Sequence, residues 1–97
     1  MSFHDEYDFS LLVNETERYV IAELEAQMAQ RPEVCRCQDC VLDMVTLALN
    51  RTKPVYRTTL LGTIYAQAGD EETRLEIQLA VQSAIDKIHE NPSHVNV

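Results

Sequence analysis

The chain has 97 residues, enough for one domain and too few for two. Hydrophobic residues make up 45% and charged residues 25%, with only two glycines, and the many Leu, Ala, Glu and Gln favour helix over sheet. A net charge of −8 argues against general nucleic-acid binding, which needs Lys and Arg to displace counterions from phosphates, and against an anionic membrane surface.

A chain of this size buries roughly 60–65% of the surface its unfolded form exposes, so its core is thin and a metal or a partner subunit is a common supplement. The acidic start MSFHDEYDF lacks the apolar run of a signal peptide, and no apolar stretch approaches the roughly 20 residues of a membrane span. The expectation is a soluble, cytoplasmic protein. Three closely spaced cysteines, an odd number, suit metal binding better than a disulfide framework in a reducing compartment.

Residues Met1 to Ser10 read as an acidic lead, a frayed end or an arm whose Phe3, Tyr7 and Phe9 dock on the core or a partner. Residues 11–97 read as the single helical domain. Its first long helix is predicted from Leu11 to Gln30, with Asn14 and Glu17 spaced as a capping box. Val13, Val20, Leu24 and Met28, joined by Ile21, form the expected core face, with Glu15, Glu23 and Glu25 toward water. Pro32 ends this run.

The cysteines follow. Cys37 and Cys40 sit three apart, so at a helix N-terminus both thiols point the same way, and Cys35 reaches the same space from the loop. The helix dipole and Arg36 are expected to lower the thiol pKa values. Three thiolates suit a tetrahedral zinc, yet structural zinc takes four protein ligands, with His94, His89, His4 or another subunit as candidates for the fourth. Plain reduced cysteines and a redox pair stand as the alternatives.

The second helix is predicted from Gln38 to Asn50, apolar around much of its girth through Val41, Met44, Val45, Leu47, Ala48 and Leu49, and therefore central. Its free face would meet a second copy. Arg51 to Thr59 is expected to be extended or turn-like around Pro54, and Leu60 to Gln67 a short helix or a strand, with helix the preferred reading. The last long helix is predicted from Asp70 to Glu90, acidic at its start and with Lys87 and His89 near its end, as the helix dipole favours; Ile77, Val81, Ile85 and Ile88 are its buried stripe.

No acidic residue occurs across the 26 residues from Met44 to Gly69, while Arg51, Lys53 and Arg57 fall within them. In so acidic a chain this suggests a cationic patch for a phosphorylated ligand, where Arg grips phosphate or a guanine edge and Tyr56 stacks on a base. The plainer alternative is that these cations pair with carboxylates of the same fold. A Gly-rich phosphate loop, a Ser-His-Asp spacing and an HExxH motif are all lacking, so no enzymatic activity is expected.

The stretch Val34–Tyr56, VCRCQDCVLDMVTLALNRTKPVY, resembles the signature of the ComFB family of late competence development proteins. The matching positions are Cys35, Cys37, Cys40, Asp43, Ala48-Leu49-Asn50, Pro54 and Tyr56. The likeness extends upstream to Val13-Asn14 and Glu17 and downstream to Thr59, Gly62 and Asn91-Pro92-Ser93-His94, while Lys53 stands where many relatives are uncharged.

The resemblance implies an all-α fold: a small helical domain with the Cys cluster at a helix N-terminus and a short extended basic segment, forming a symmetric homodimer. It implies structural zinc at the cysteines. For members in cyanobacteria it implies reception of cyclic di-GMP, linked to competence and motility and relayed to an unknown downstream protein. Against that ligand, Arg51, Tyr56, Arg57 and Lys53 are the first candidate contacts, and Asn14, Arg18 and Arg36 are secondary. A zinc-stabilised adaptor dimer in competence or DNA uptake, without a nucleotide, is the alternative.

Overall fold

The computed structural model describes residues 1–58 and 71–92. In chain order these form a short α1 (Phe3–Glu6), a 3-10 turn (Phe9–Leu11), β1 (Val13–Asn14), α2 (Glu15–Met28), α3 (Gln38–Leu49), β2 (Tyr56–Arg57) and α4 (Glu71–Glu90). The predicted helix at Leu60 to Gln67 lies outside the described residues.

Helices α2, α3 and α4 pack mutually. Each contributes a stripe at helical spacing: Val20, Leu24 and Met28 from α2; Cys40, Met44 and Ala48 from α3; Ile77, Val81, Ala84, Ile85 and Ile88 from α4. Spacings of three and four residues place such positions on one face. Met44 and Ile85 are the largest side chains sealed at the centre. Val34 inserts from the loop between α2 and α3, fixing that loop over the core. The expected second and last helices are therefore present, with Asn50 as the cap of α3 rather than its last residue.

The first long helix is shorter than its pattern suggests. Val13 and Asn14 form strand instead, pairing antiparallel with Arg57 and Tyr56. The all-α expectation is thus corrected to a mostly helical fold with, among the described residues, one two-stranded ladder. Asn14 does cap α2, its Oδ1 accepting from the Thr16 amide at 3.2 Å. The same oxygen accepts from the Val55 amide at 2.8 Å, and Glu17 makes no return bond among the described residues. One asparagine therefore starts a helix and pins the basic segment together. Thr16 adds a second pin, its hydroxyl donating to the Lys53 carbonyl at 2.7 Å.

Two further expectations on α2 are corrected. Ile21 is half exposed, because it sits beside the core stripe and faces outward along α3. Glu15, expected in water, is only 7% exposed. Its carboxylate accepts from Arg57 Nε across the ladder and lies 3.5 Å from Arg18 Nη1, while its amide donates to Val55 O at 2.7 Å. A carboxylate in the first turn of a helix is also favoured by the helix dipole. Breaking a buried pair costs about 3–5 kcal/mol. Here Arg57 keeps about a quarter of its side chain in solvent, so Glu15→Ala should cost nearer about 2 kcal/mol and lower the melting temperature by roughly 10 °C. A thermal melt followed by circular dichroism checks this; a drop of under about 2 °C would mark the pair as surface-like.

The acidic lead contains α1 and the 3-10 turn, neither with a buried residue. Asp5 caps it through Ser2, and Phe3 and Tyr7, with ring centroids 5.1 Å apart, stack on each other rather than on the core. Phe3, Tyr7 and Phe9 all remain exposed. Among the described residues, no helix is long and apolar enough to cross a membrane.

Candidate functional site

Two features carry chemistry, and α3 joins them: the cysteines sit at its N-terminus and the basic segment leaves its C-terminus. Cys37 is the N-cap of α3, its sulfur 3.4 Å from the Cys40 amide that donates to it. Cys40 lies fully in the core, while Cys35 and Cys37 pack against the core's edge. The three sulfurs lie within 4.8 Å of one another, and no disulfide joins them. The Cys40 amide holds the Cys37 thiol below its ordinary range, with bonds to Cys35 and the Cys40 thiol assisting.

Arg36 plays a different part from the one expected of it. Its Nη2 donates to the Met28 carbonyl at 2.5 Å, so it caps the open C-terminal end of α2. The Cys37 thiol owes its lowered pKa first to a backbone amide.

The donor set fits a thiophilic metal such as zinc. Sulfurs bound to zinc at about 2.3 Å sit roughly 3.8 Å apart, a small adjustment from the spacing seen. Such an ion would tie the α2–α3 loop to the first turn of α3. His4 meets Phe9 edge-on, with centroids 5.1 Å apart. His89 lies toward Glu33, whose carboxyl is held low by its own amide first and by Arg31 and His89 in addition. His94 lies outside the described residues. Among the described residues, the three cysteines alone form a ligand cluster.

The basic segment divides into engaged and open cations. Arg57 is paired with Glu15, so it offers a ligand only the N–H groups that the carboxylate leaves. Arg18 shares the same carboxylate at 3.5 Å, with most of its side chain in solvent. Asn14 spends its Oδ1 on two backbone amides and keeps its amide hydrogens. Arg51, just past the α3 cap, reaches α4 and donates to Ser83 Oγ at 2.7 Å. Neither Arg51 nor Lys53 has a carboxylate partner among the described residues. Tyr56 is 60% exposed on β2, opposite Asn14. Thus Tyr56, Arg57, Asn14 and Arg18 gather around the ladder, Lys53 is tied beside it through its carbonyl on Thr16, Arg51 reaches across to α4, and Arg36 stands with the cysteines. The Glu15 carboxylate at the centre of this cluster went unrecognised in the sequence; only its place one residue after a cap hinted at it.

The family model for the late competence development protein ComFB matches residues 13–92. The chain belongs to the ComFB family. Its fold is similar to the solved structure of the late competence protein ComFB from Bacillus subtilis, at TM-score 0.67 and 28% identity. That similarity covers 84% of this chain and 94% of the Bacillus one. No curated protein sequence matches the chain. Membership supports a competence-related role, in a family not known for enzymes. The matched span begins at β1 and ends at Pro92, so it includes the ladder, the cysteine cap and all three packed helices of the ComFB fold seen here, and omits the aromatic arm.

Proposed function

We propose that this ComFB-family chain is a cytoplasmic, non-enzymatic receptor for cyclic di-GMP, acting as a homodimer on a downstream protein and stabilised by zinc at Cys35, Cys37 and Cys40. The observation that carries the reading is a pair of cations, Arg51 and Lys53, without carboxylate partners among the described residues, in a segment free of acids and beside an exposed tyrosine. Phosphates take charge-assisted bonds from such cations, guanine edges take Arg in a two-pronged grip, and Tyr56 offers a stacking face. A ligand with two phosphates and two guanines suits an isologous dimer, since each subunit meets an equivalent half. Binding then favours one arrangement of the pair for the downstream protein.

Isothermal titration of the whole chain with cyclic di-GMP should give a Kd near ~1 μM, about −8 kcal/mol. Absence of heat at tens of micromolar, with the dimer intact by light scattering, would leave the adaptor reading. That second reading draws on Arg57, whose guanidinium already serves the fold through Glu15.

A further inference from the structure

A groove runs between α2 and α3 on the side of the molecule where Ile21 escapes the core. Ile21, Leu24 and Met28 form one wall and Val41, Leu42 and Val45 the other, around a space of about 320 Å³. Ile21 is 48% and Leu42 52% exposed, so two large apolar side chains stand open at its lips. Glu17 and Glu25 also line it, both exposed, with Arg36 at the end where α2 finishes and α3 begins. Exposed Asp39 neighbours Leu42 one turn back on α3. The floor is apolar and the α2 edge is anionic.

We infer that this groove is the docking site for a basic amphipathic helix of a partner protein. An apolar groove of this form takes the face of a helix with apolar residues at i, i+3, i+4 and i+7. The acidic α2 edge, Glu17 and Glu25, then chooses among such helices, attracting Lys or Arg and rejecting acids. Glu17 and Glu25 are eight residues apart on α2, or about 12 Å along its axis, so the partner's basic residues recur about every two turns. Arg36, its guanidinium held by the Met28 carbonyl, places a cation where α2 finishes, and the C-terminal carbonyls of the incoming helix are favoured there.

The chain's own segments fit poorly. The N-terminal arm has the aromatic residues but also Asp5, Glu6 and Asp8, which meet the carboxylates of the groove. In a second copy, α4 exposes Leu75 and Leu79, yet it carries Glu71, Glu72, Glu76, Asp86 and Glu90 against Arg74 and Lys87. Charge complementarity therefore points to a foreign, cationic helix. Arg51, Lys53 and Tyr56 line no part of this groove, and Arg36 is the one candidate nucleotide contact that does.

The test uses the whole chain and two fluorescein-labelled peptides about five turns long (~18 residues), sharing one leucine face and differing in Lys or Glu on the flanks. Fluorescence anisotropy should show the Lys peptide binding at least about tenfold tighter than the Glu peptide. Leu42→Asp should abolish binding, and Glu17→Lys with Glu25→Lys should reverse the preference; all three positions are exposed, and melting curves verify the fold. Equal binding of both peptides, no binding, or indifference to Leu42→Asp would overturn the inference. So would light scattering in which Leu42→Asp turns a dimer into monomers, since a second copy would then fill the groove. Titration of Leu42→Asp with cyclic di-GMP should match the parent chain, so failure of the groove and failure of the receptor reading give different results.

Discussion

Replacing Cys37 with serine should lower the melting temperature of zinc-loaded protein by roughly 10–15 °C, a loss of about 2–3 kcal/mol. The sign makes this substitution diagnostic. Cys37 is the N-cap of α3 and accepts the Cys40 amide through sulfur at 3.4 Å. Serine is among the preferred N-cap residues and accepts the same bond through a harder oxygen, so without a metal the change should leave stability unchanged or raise it. With zinc, the variant loses one of three clustered thiolates, and with it the tie between the α2–α3 loop and the helix. Chelator should bring the parent chain down to the level of the variant and leave the variant where it was. A variant that melts at or above the parent, with chelator inert on both, would end the structural-zinc reading. Cys40→Ser is the weaker probe, because a hydroxyl sealed in the core costs about 1–3 kcal/mol whether or not metal is bound.

The cysteine cap was legible because it is local. Three thiols within six positions at the start of an apolar run leave little choice about where they meet, and the stripe Cys40, Met44 and Ala48 declares which face of α3 turns inward. Helix α4 was legible for the same reason. What stayed hidden depends on interactions between distant residues. Nothing near Val13 indicates that it will pair with Arg57, so its apolar side chain read as the first position of a helical stripe. Once that ladder forms, Glu15 faces a guanidinium instead of water, and its burial follows. The basic segment was recognisable as a charge anomaly. The division of its cations into one serving the fold and two remaining open required the register of the strands.

That division underlies the second large effect. Arg51→Ala should weaken cyclic di-GMP binding by about 30-fold for each guanidinium–ligand bond removed, the worth of a charge-assisted bond of about 2 kcal/mol. In a symmetric dimer both copies change at once, so the combined weakening approaches roughly a thousandfold. The fold should barely notice. Arg51 is exposed, and its side-chain bond goes to the neutral hydroxyl of Ser83, which exchanges readily for a phosphate. Arg57→Ala should show the opposite profile, because removing it leaves the buried Glu15 carboxylate only the largely solvated Arg18 at 3.5 Å, and the penalty appears in the melting temperature first. Arg51→Lys separates charge from shape: retained affinity means a simple phosphate interaction, whereas a drop close to that of alanine means the planar, two-pronged grip on guanine or phosphate. Titration calorimetry and a thermal melt on the same three variants supply affinity and stability side by side. Equal affinity in Arg51→Ala and the parent would remove Arg51 from the ligand site, and of the two open cations only Lys53 would be left to carry the receptor reading on the basic segment.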